Sequence, residues 1–283
     1  QVAQIVGELG LTLGGQPIPP VLYHSTPLPW ALIASPRSSI QQEANISLDT
    51  ELSLDERIQL EEQVATDLDL STLVVPVGGV GTYPTMVAQT SNLNWLAEVV
   101  AHEWIHNYLT LRPLGLLYNR SQDLRTINET VANIAGKEIG AALIERFYPE
   151  RVPPPPSSPS EDAAQTDPVA AAQGFDFRAE MHATRVEVDR LLAAGLVVEA
   201  EEFMEMRRLV FWENGYPIRK LNQAYFAFYG SYADSPSGAA GEDPVGSAVR
   251  QLWARSASLE EFLDRAAFLT SFEDLQRLLA ELE

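Results

Sequence analysis

Two imidazoles one helical turn apart, with a carboxylate beside the first, stand at His102-Glu103-Trp104-Ile105-His106. Residues i and i+4 share a helix face, so His102 and His106 can bind one tetrahedral metal ion while Glu103 reaches a water at that ion. The chemistry is hydrolysis by a metal-activated water, with Glu103 as general base. The chain has no cysteine and only 4 histidines. A thiolate nucleophile, a zinc finger and an iron–sulfur cluster are therefore excluded, and a metal must be held by His, Asp and Glu. The competing reading is two structural or solvated histidines on an amphipathic helix.

A catalytic zinc keeps three protein ligands and one open position, so a third donor is needed. His24 and His182 lie outside the spacing that puts a third histidine just downstream, which excludes a metzincin arrangement. Asn128-Glu129-Thr130-Val131-Ala132, some two dozen residues after His106, resembles the Asn-Glu-x-x-Ala element that supplies the glutamate ligand in the gluzincin metallopeptidases. The resemblance implies one Zn²⁺ per chain on His102, His106 and Glu129. It also implies a histidine-orienting role for position 133, where the family often has Asp and this chain has Asn133. An amide oxygen there can accept from an imidazole N–H without adding charge. Glu129, Ala132, Asn133, Gly136 and Gly140 fall on one face at helical spacing, and their small size predicts close approach to the zinc helix. The alternative for Glu129 is the N3 position of a capping box opened by Thr126.

A further resemblance covers Glu180 to Tyr232, with Thr184-Arg185, Val188-Asp189, Leu191-Leu192, Arg207-Arg208, Asn214-Gly215 and Leu221-Asn222-Gln223-Ala224. This run is similar to the helical segment downstream of the zinc site in a bacterial family of predicted aminopeptidases. It implies a peptide or protein substrate in a bacterial setting. Hydrolysis also calls for an oxyanion donor. A helix from Arg219 to Tyr232 would align Asn222, Tyr225, Tyr229 and Tyr232 near one stripe, with Tyr225 and Tyr232 as candidate donors, Asn222 as a substrate contact, and an aromatic core as the alternative. His182 and Arg185 are further candidates. Glu98, one turn before His102, can bind a substrate α-ammonium group or be a solvated carboxylate. A strand from Thr82 to Val87 offers an edge for an extended peptide, with Tyr83 and Met86 as contacts and Gly78, Gly79 and Gly81 giving the substrate backbone room.

The elements that must position these residues are legible in part. Ser53 and Glu56 open a helix that runs to about Asp69, and Leu73–Val77 reads as a strand ending at Gly78-Gly79. Ser91 or Asn92 caps the zinc helix, which stops at Pro113, and a second long helix runs from about Thr126 to Tyr148. The first forty residues read as irregular, with a strand or two. After Phe177 the pattern is helical, with a break at Ala194-Gly195, a stop at Asn214-Gly215, and two last helices opened by Ser258 and Ser271. The expected fold is α+β and predominantly helical: a zincin-like core with a small N-terminal β-containing region, completed by a helical C-terminal region. The expected units are residues 1–150, a Pro-rich linker or excursion over 151–174, and 175–283, with the cleft between the first and last.

A formal charge of −20 excludes a nucleic-acid partner, which needs clustered Lys and Arg. Such acidity can instead steer cationic peptides or free amino termini electrostatically. The uncharged stretches 10–36 and 71–97 are broken by proline and glycine and do not read as membrane spans. The chain starts at Gln1, which leaves room for a signal peptide or anchor ahead of it and an extracytoplasmic or membrane-anchored location. A glycan on the sequon Asn128-Glu-Thr would crowd Glu129, which argues against a glycosylating host. Two rival functions fit the same motif: a non-catalytic zinc-containing scaffold, and a membrane-tethered endopeptidase regulated by its Pro-rich segment.

Overall fold

A computed structural model describes residues 1–153, 175–230 and 244–282. Tyr232 and the Pro-rich stretch beyond residue 153 lie outside the described residues. The molecule is predominantly helical, with two small sheets.

The N-terminal stretch contains a helix the sequence reading did not anticipate, α1 (Val2–Glu8), followed by β1 (Tyr23–Ser25), β2 (Trp30–Pro36) and β3 (Ala44–Leu48). The helix α2 (Leu54–Leu68) opens with the expected capping box, Ser53 accepting from the Glu56 N–H while Glu56 returns to the Ser53 N–H, and closes at Asp69 in a left-handed conformation. A reversal there sends the chain into β4 (Leu70–Pro76). β2 pairs antiparallel with β3 and with β4, so Leu32 lies opposite both Ile46 and Val74. β2 is buried along five consecutive residues, as suits a strand covered on both faces.

β5 (Gly79–Val80) and β6 (Thr85–Val87) form the second sheet with β1. β6 lies between β1, which is parallel to it, and β5, which is antiparallel. The segment expected as a free edge is therefore the central strand, and its backbone groups are already paired on both sides. That removes it as a rail for an added peptide.

α3 (Leu93–Leu109), α4 (Pro113–Leu116) and α5 (Gln122–Phe147) follow. Pro113 does more than stop α3: it occupies the first turn of α4, where its missing N–H costs nothing. Beyond the undescribed stretch come α6 (Phe177–Ala193), α7 (Val197–Glu213), α8 (Gln223–Tyr229), α9 (Pro244–Ala254), α10 (Leu259–Ala267) and α11 (Phe272–Glu281). Gly195 and Gly215 take positive φ at the predicted breaks, and Ser258 and Ser271 cap as expected. The aromatic helix is shorter than expected. Asn222 caps it, and Arg219 lies before it, bonded to Glu61.

Burial is organised in two clusters. One joins α1, α3, α4 and α5 to α9–α11, with Trp104, Ile105, Ile127, Ile139 and Phe262 at its centre. The other joins β2 and β4 to α6–α8, around Ile33, Met181, Phe211 and Phe226. Each cluster draws on residues from both sides of the Pro-rich stretch. Glu61 of α2, 2 % exposed, ties the second cluster together: it accepts from the Val74 N–H at 2.6 Å and from Arg219 through both oxygens. No helix among the described residues is long and apolar enough to cross a membrane.

Candidate metal centre

α3 is capped by Asn92, whose side chain accepts from the Trp95 N–H at 3.1 Å. α5 starts earlier than its sequence pattern suggests, with Ser121 as the cap. Thr126 is thus inside the helix and cannot cap it, so the capping-box role for Glu129 falls away. The two helices pack closely where the sequence is small. A Cβ on Gly136 would lie 3.0 Å from the Glu98 carbonyl and from His102 Cβ, and one on Gly140 would lie 3.0 Å from the Glu98 backbone.

That approach brings a short carboxylate to its neighbour's imidazoles. Glu129 Oε2 lies 3.6 Å from His102 Nε2 and 3.5 Å from His106 Nε2, and the two Nε2 atoms are 3.0 Å apart. A tetrahedral ion with bonds of about 2.0–2.1 Å would space its ligand atoms by about 3.3 Å. Glu129 Oε2 is buried and makes no hydrogen bond, an orphan acceptor that a cation would satisfy. These three residues could hold a metal ion.

The surroundings fix how the ligands face the site. Asn128 Nδ2 donates to the Leu114 carbonyl at 3.2 Å, which turns Asn128 Oδ1 toward His106 Nδ1 at 2.9 Å. An amide oxygen only accepts, so His106 carries its proton on Nδ1 when neutral and offers the Nε2 lone pair to the site. The sequence reading put such an acceptor at Asn133, one turn beyond Glu129. The one His106 uses is Asn128.

A second partner was not anticipated. Tyr118, in the connection between α4 and α5, donates its hydroxyl to Glu129 Oε1 and sets its ring edge-on to His106 at 6.1 Å. Arg125 lies 4.6 Å over that ring and bonds Asn119. The only sequence signal is an aromatic in a loop between the two helices that carry the candidate ligands.

Charges in the site follow from burial and proximity. Burial raises the Glu103 carboxyl above its usual range, against the pull of the two histidines. Burial would lower His106, but the Glu129 carboxylate outweighs it and pushes His106 up to about 9. Burial would likewise raise Glu129, yet the facing imidazoles hold it well below the usual carboxylate range. Without metal, the site is a buried ion pair between Glu129 and a protonated His106.

The ligands open onto a cavity of about 470 Å³, with Trp30, Val77, Val80 and Phe228 among its apolar walls and Asn45, Ser47 and Asn119 among its polar ones. Trp30 is held in place by Arg57, stacked 3.8 Å over its ring. Among the described residues, the cavity presents no carboxylate besides Glu103 and Glu129. The glycines ahead of β6 serve a different purpose from the one expected. A Cβ on Gly79 would overlap the Glu103 carboxylate, and one on Gly81 would come within 3.2 Å of His106 Cβ. What they leave room for is the side chains of Glu103 and His106.

Other candidates lie elsewhere. Tyr225, expected as an oxyanion donor, is buried in the second cluster, 4.6 Å from the Tyr229 ring, and does not line the cavity. Asn222 caps α8 and donates to the Thr72 carbonyl at 2.9 Å, so it is structural. Glu98 presses its backbone against α5 and does not line the cavity. Tyr83 is exposed and lines a separate groove. His24 and His182 are exposed on β1 and α6, and Arg185 pairs with Asp189 at 2.8 Å. Compared with known protein families, curated proteins and solved structures, the chain matches none.

Proposed function

We propose that the protein is a zinc-dependent peptidase of gluzincin type. The observation that carries the reading is the meeting of three ligand atoms, from buried His102 and Glu129 and half-buried His106, with the Glu103 carboxylate on the same cavity. Two imidazoles and one carboxylate suit zinc, and the ligand spacing is near a tetrahedral edge. Bound there, zinc supplies Lewis acidity toward a peptide carbonyl. The chain's residues do the rest. Glu103, 6 % exposed and raised by burial, takes a proton from the attacking water and passes it to the leaving amine. Among the described residues Tyr118, rather than Tyr225, is the phenol at the candidate ligands, and it orients the Glu129 carboxylate. Trp30, Val77, Val80 and Phe228 give apolar contact to side chains flanking the scissile bond.

The test is Glu103→Gln in protein loaded with zinc. Zinc content should stay at one per chain while cleavage of blocked peptides falls by about 10²–10⁴-fold. Full activity in the variant would overturn the mechanism, and a zinc-loaded wild type that cleaves nothing would favour a scaffold role.

A further inference from the structure

The cavity does not end at the metal ligands. Thr110, one turn beyond His106, lines it on one side and on the other lines a second groove of about 750 Å³. Neighbouring residues repeat the join: Thr82 lines the cavity and Tyr83 the groove. Four large apolar side chains on that groove face solvent, with Leu111 85 %, Leu13 71 %, Ile18 50 % and Tyr83 49 % exposed. Folding makes no use of such a patch, and contiguous exposed apolar surface around a concavity is the mark of a binding site. Glu260 and Asp264 of α10 also line the groove, and neither joins an ion pair among the described residues. Arg112, the cation there, is committed to Tyr108, bonding its carbonyl and lying 3.6 Å over its ring.

We propose that this groove is a second binding site for the polypeptide substrate, taking a segment beside the scissile bond that carries a large apolar side chain and a Lys or Arg. The apolar rim binds the first, and the unpaired Glu260 and Asp264 bind the second. Four residues of helix separate Thr110 from His106, an axial rise of about 6 Å. Two extended residues span that length at about 3.3 Å each, so a peptide held at the metal enters the groove almost at once. The choice of occupant rests on the peptidase reading. The inference makes the enzyme one that cuts within longer chains rather than one that trims free amino termini, in keeping with a cavity that, among the described residues, offers no separate carboxylate for an α-ammonium group.

The test uses a short quenched peptide that fills only the cavity, and the same peptide lengthened at either end by about six residues containing Leu and Lys. Lengthening at one end should lower KM by about tenfold, equivalent to one well-buried apolar contact. Leu111→Ser with Leu13→Ser should cancel that gain and leave the short peptide's kcat/KM unchanged. Glu260→Gln with Asp264→Asn should remove the advantage of Lys over Glu in the extension. Equal KM for both lengths, or a gain that survives these changes, overturns the proposal. Anisotropy of the labelled long peptide on Glu103→Gln protein separates the two readings. Leu111-dependent binding without wild-type cleavage retains the groove and sinks the peptidase, and cleavage indifferent to Leu111 does the reverse. Leu111-dependent capture on neutral phosphatidylcholine vesicles, with no effect on peptides, assigns the patch to lipid and overturns the proposal.

Discussion

Two of the three candidate ligands depend on a neighbour, His106 on Asn128 and Glu129 on Tyr118, and the dependence is measurable. Asn128→Ala removes the acceptor that fixes His106, and zinc affinity should fall about 10–100-fold in chelator competition while the fold is retained. The protonation of the empty site gives a second outcome. His106 is raised to about 9 from its ordinary 6.5, so metal-free protein carries a proton there at neutral pH. Zinc must expel it. Calorimetry in buffers of different ionisation enthalpy should show proton release on zinc binding, shrinking as pH rises through about 9. The sign for stability follows from the same shift: the His106–Glu129 pair stabilises the metal-free fold below about pH 6.5, and that contribution is lost as pH rises through about 9. The melting temperature of metal-free protein should drop across that window, and the zinc-loaded protein should not share that drop. At this scale His102, Glu103, His106 and Glu129 were legible, because a helical turn fixes which side chains meet. Asn128 and Tyr118 were not, because Asn128 reads as part of a motif and Tyr118 reaches Glu129 through a loop whose path no local pattern sets.

Two helices and a strand carry the site, and their contacts rest on missing side chains. Gly136→Val would push a branched side chain into His102 and the Glu98 carbonyl, which stand 3.0 Å from the Cβ position. Prying α5 from α3 should cost about 1–3 kcal/mol in denaturant unfolding and weaken zinc binding with it. Gly79→Ala acts on the opposite side, where the added methyl overlaps the Glu103 carboxylate. Zinc should bind as before while kcat falls, since a displaced base loses its reach to the water. The close approach at Gly136 and Gly140 was readable from their helical spacing. The role of Gly79 was misread as room for substrate, because glycine spacing says that something comes near without saying what. β6 was misplaced for a related reason: its pairing with β1 joins strands far apart in sequence, and only the pairing decides which strand is an edge.

At the scale of the molecule, the cavity is walled by Trp30 of β2, by Phe228 of the sheet-centred cluster, and by α3 and α5 of the helical one. Its shape therefore depends on ties such as Glu61 to Arg219. Arg219→Ala leaves the buried Glu61 carboxylate with Lys220 at 3.6 Å and the Val74 N–H, and the loss of two charged hydrogen bonds should destabilise the fold by about 1.5–3 kcal/mol in urea titration. The α+β, helix-rich character was legible from caps and periodicity. The pairing of clusters was not, since it depends on contacts between residues over a hundred positions apart, such as Glu61 with Arg219. The net charge of −20 said nothing about placement, and the metal cavity turns out to hold no acid beyond its own machinery among the described residues. The glycine facing Glu103 also has an evolutionary meaning. Any descendant that keeps this carboxylate in place must keep a residue without a side chain opposite it, whatever else drifts. A glycine ahead of the His-Glu-x-x-His helix, a loop tyrosine after it and an Asn-Glu pair on the next helix form a constellation by which distant kin could be found after overall similarity has faded.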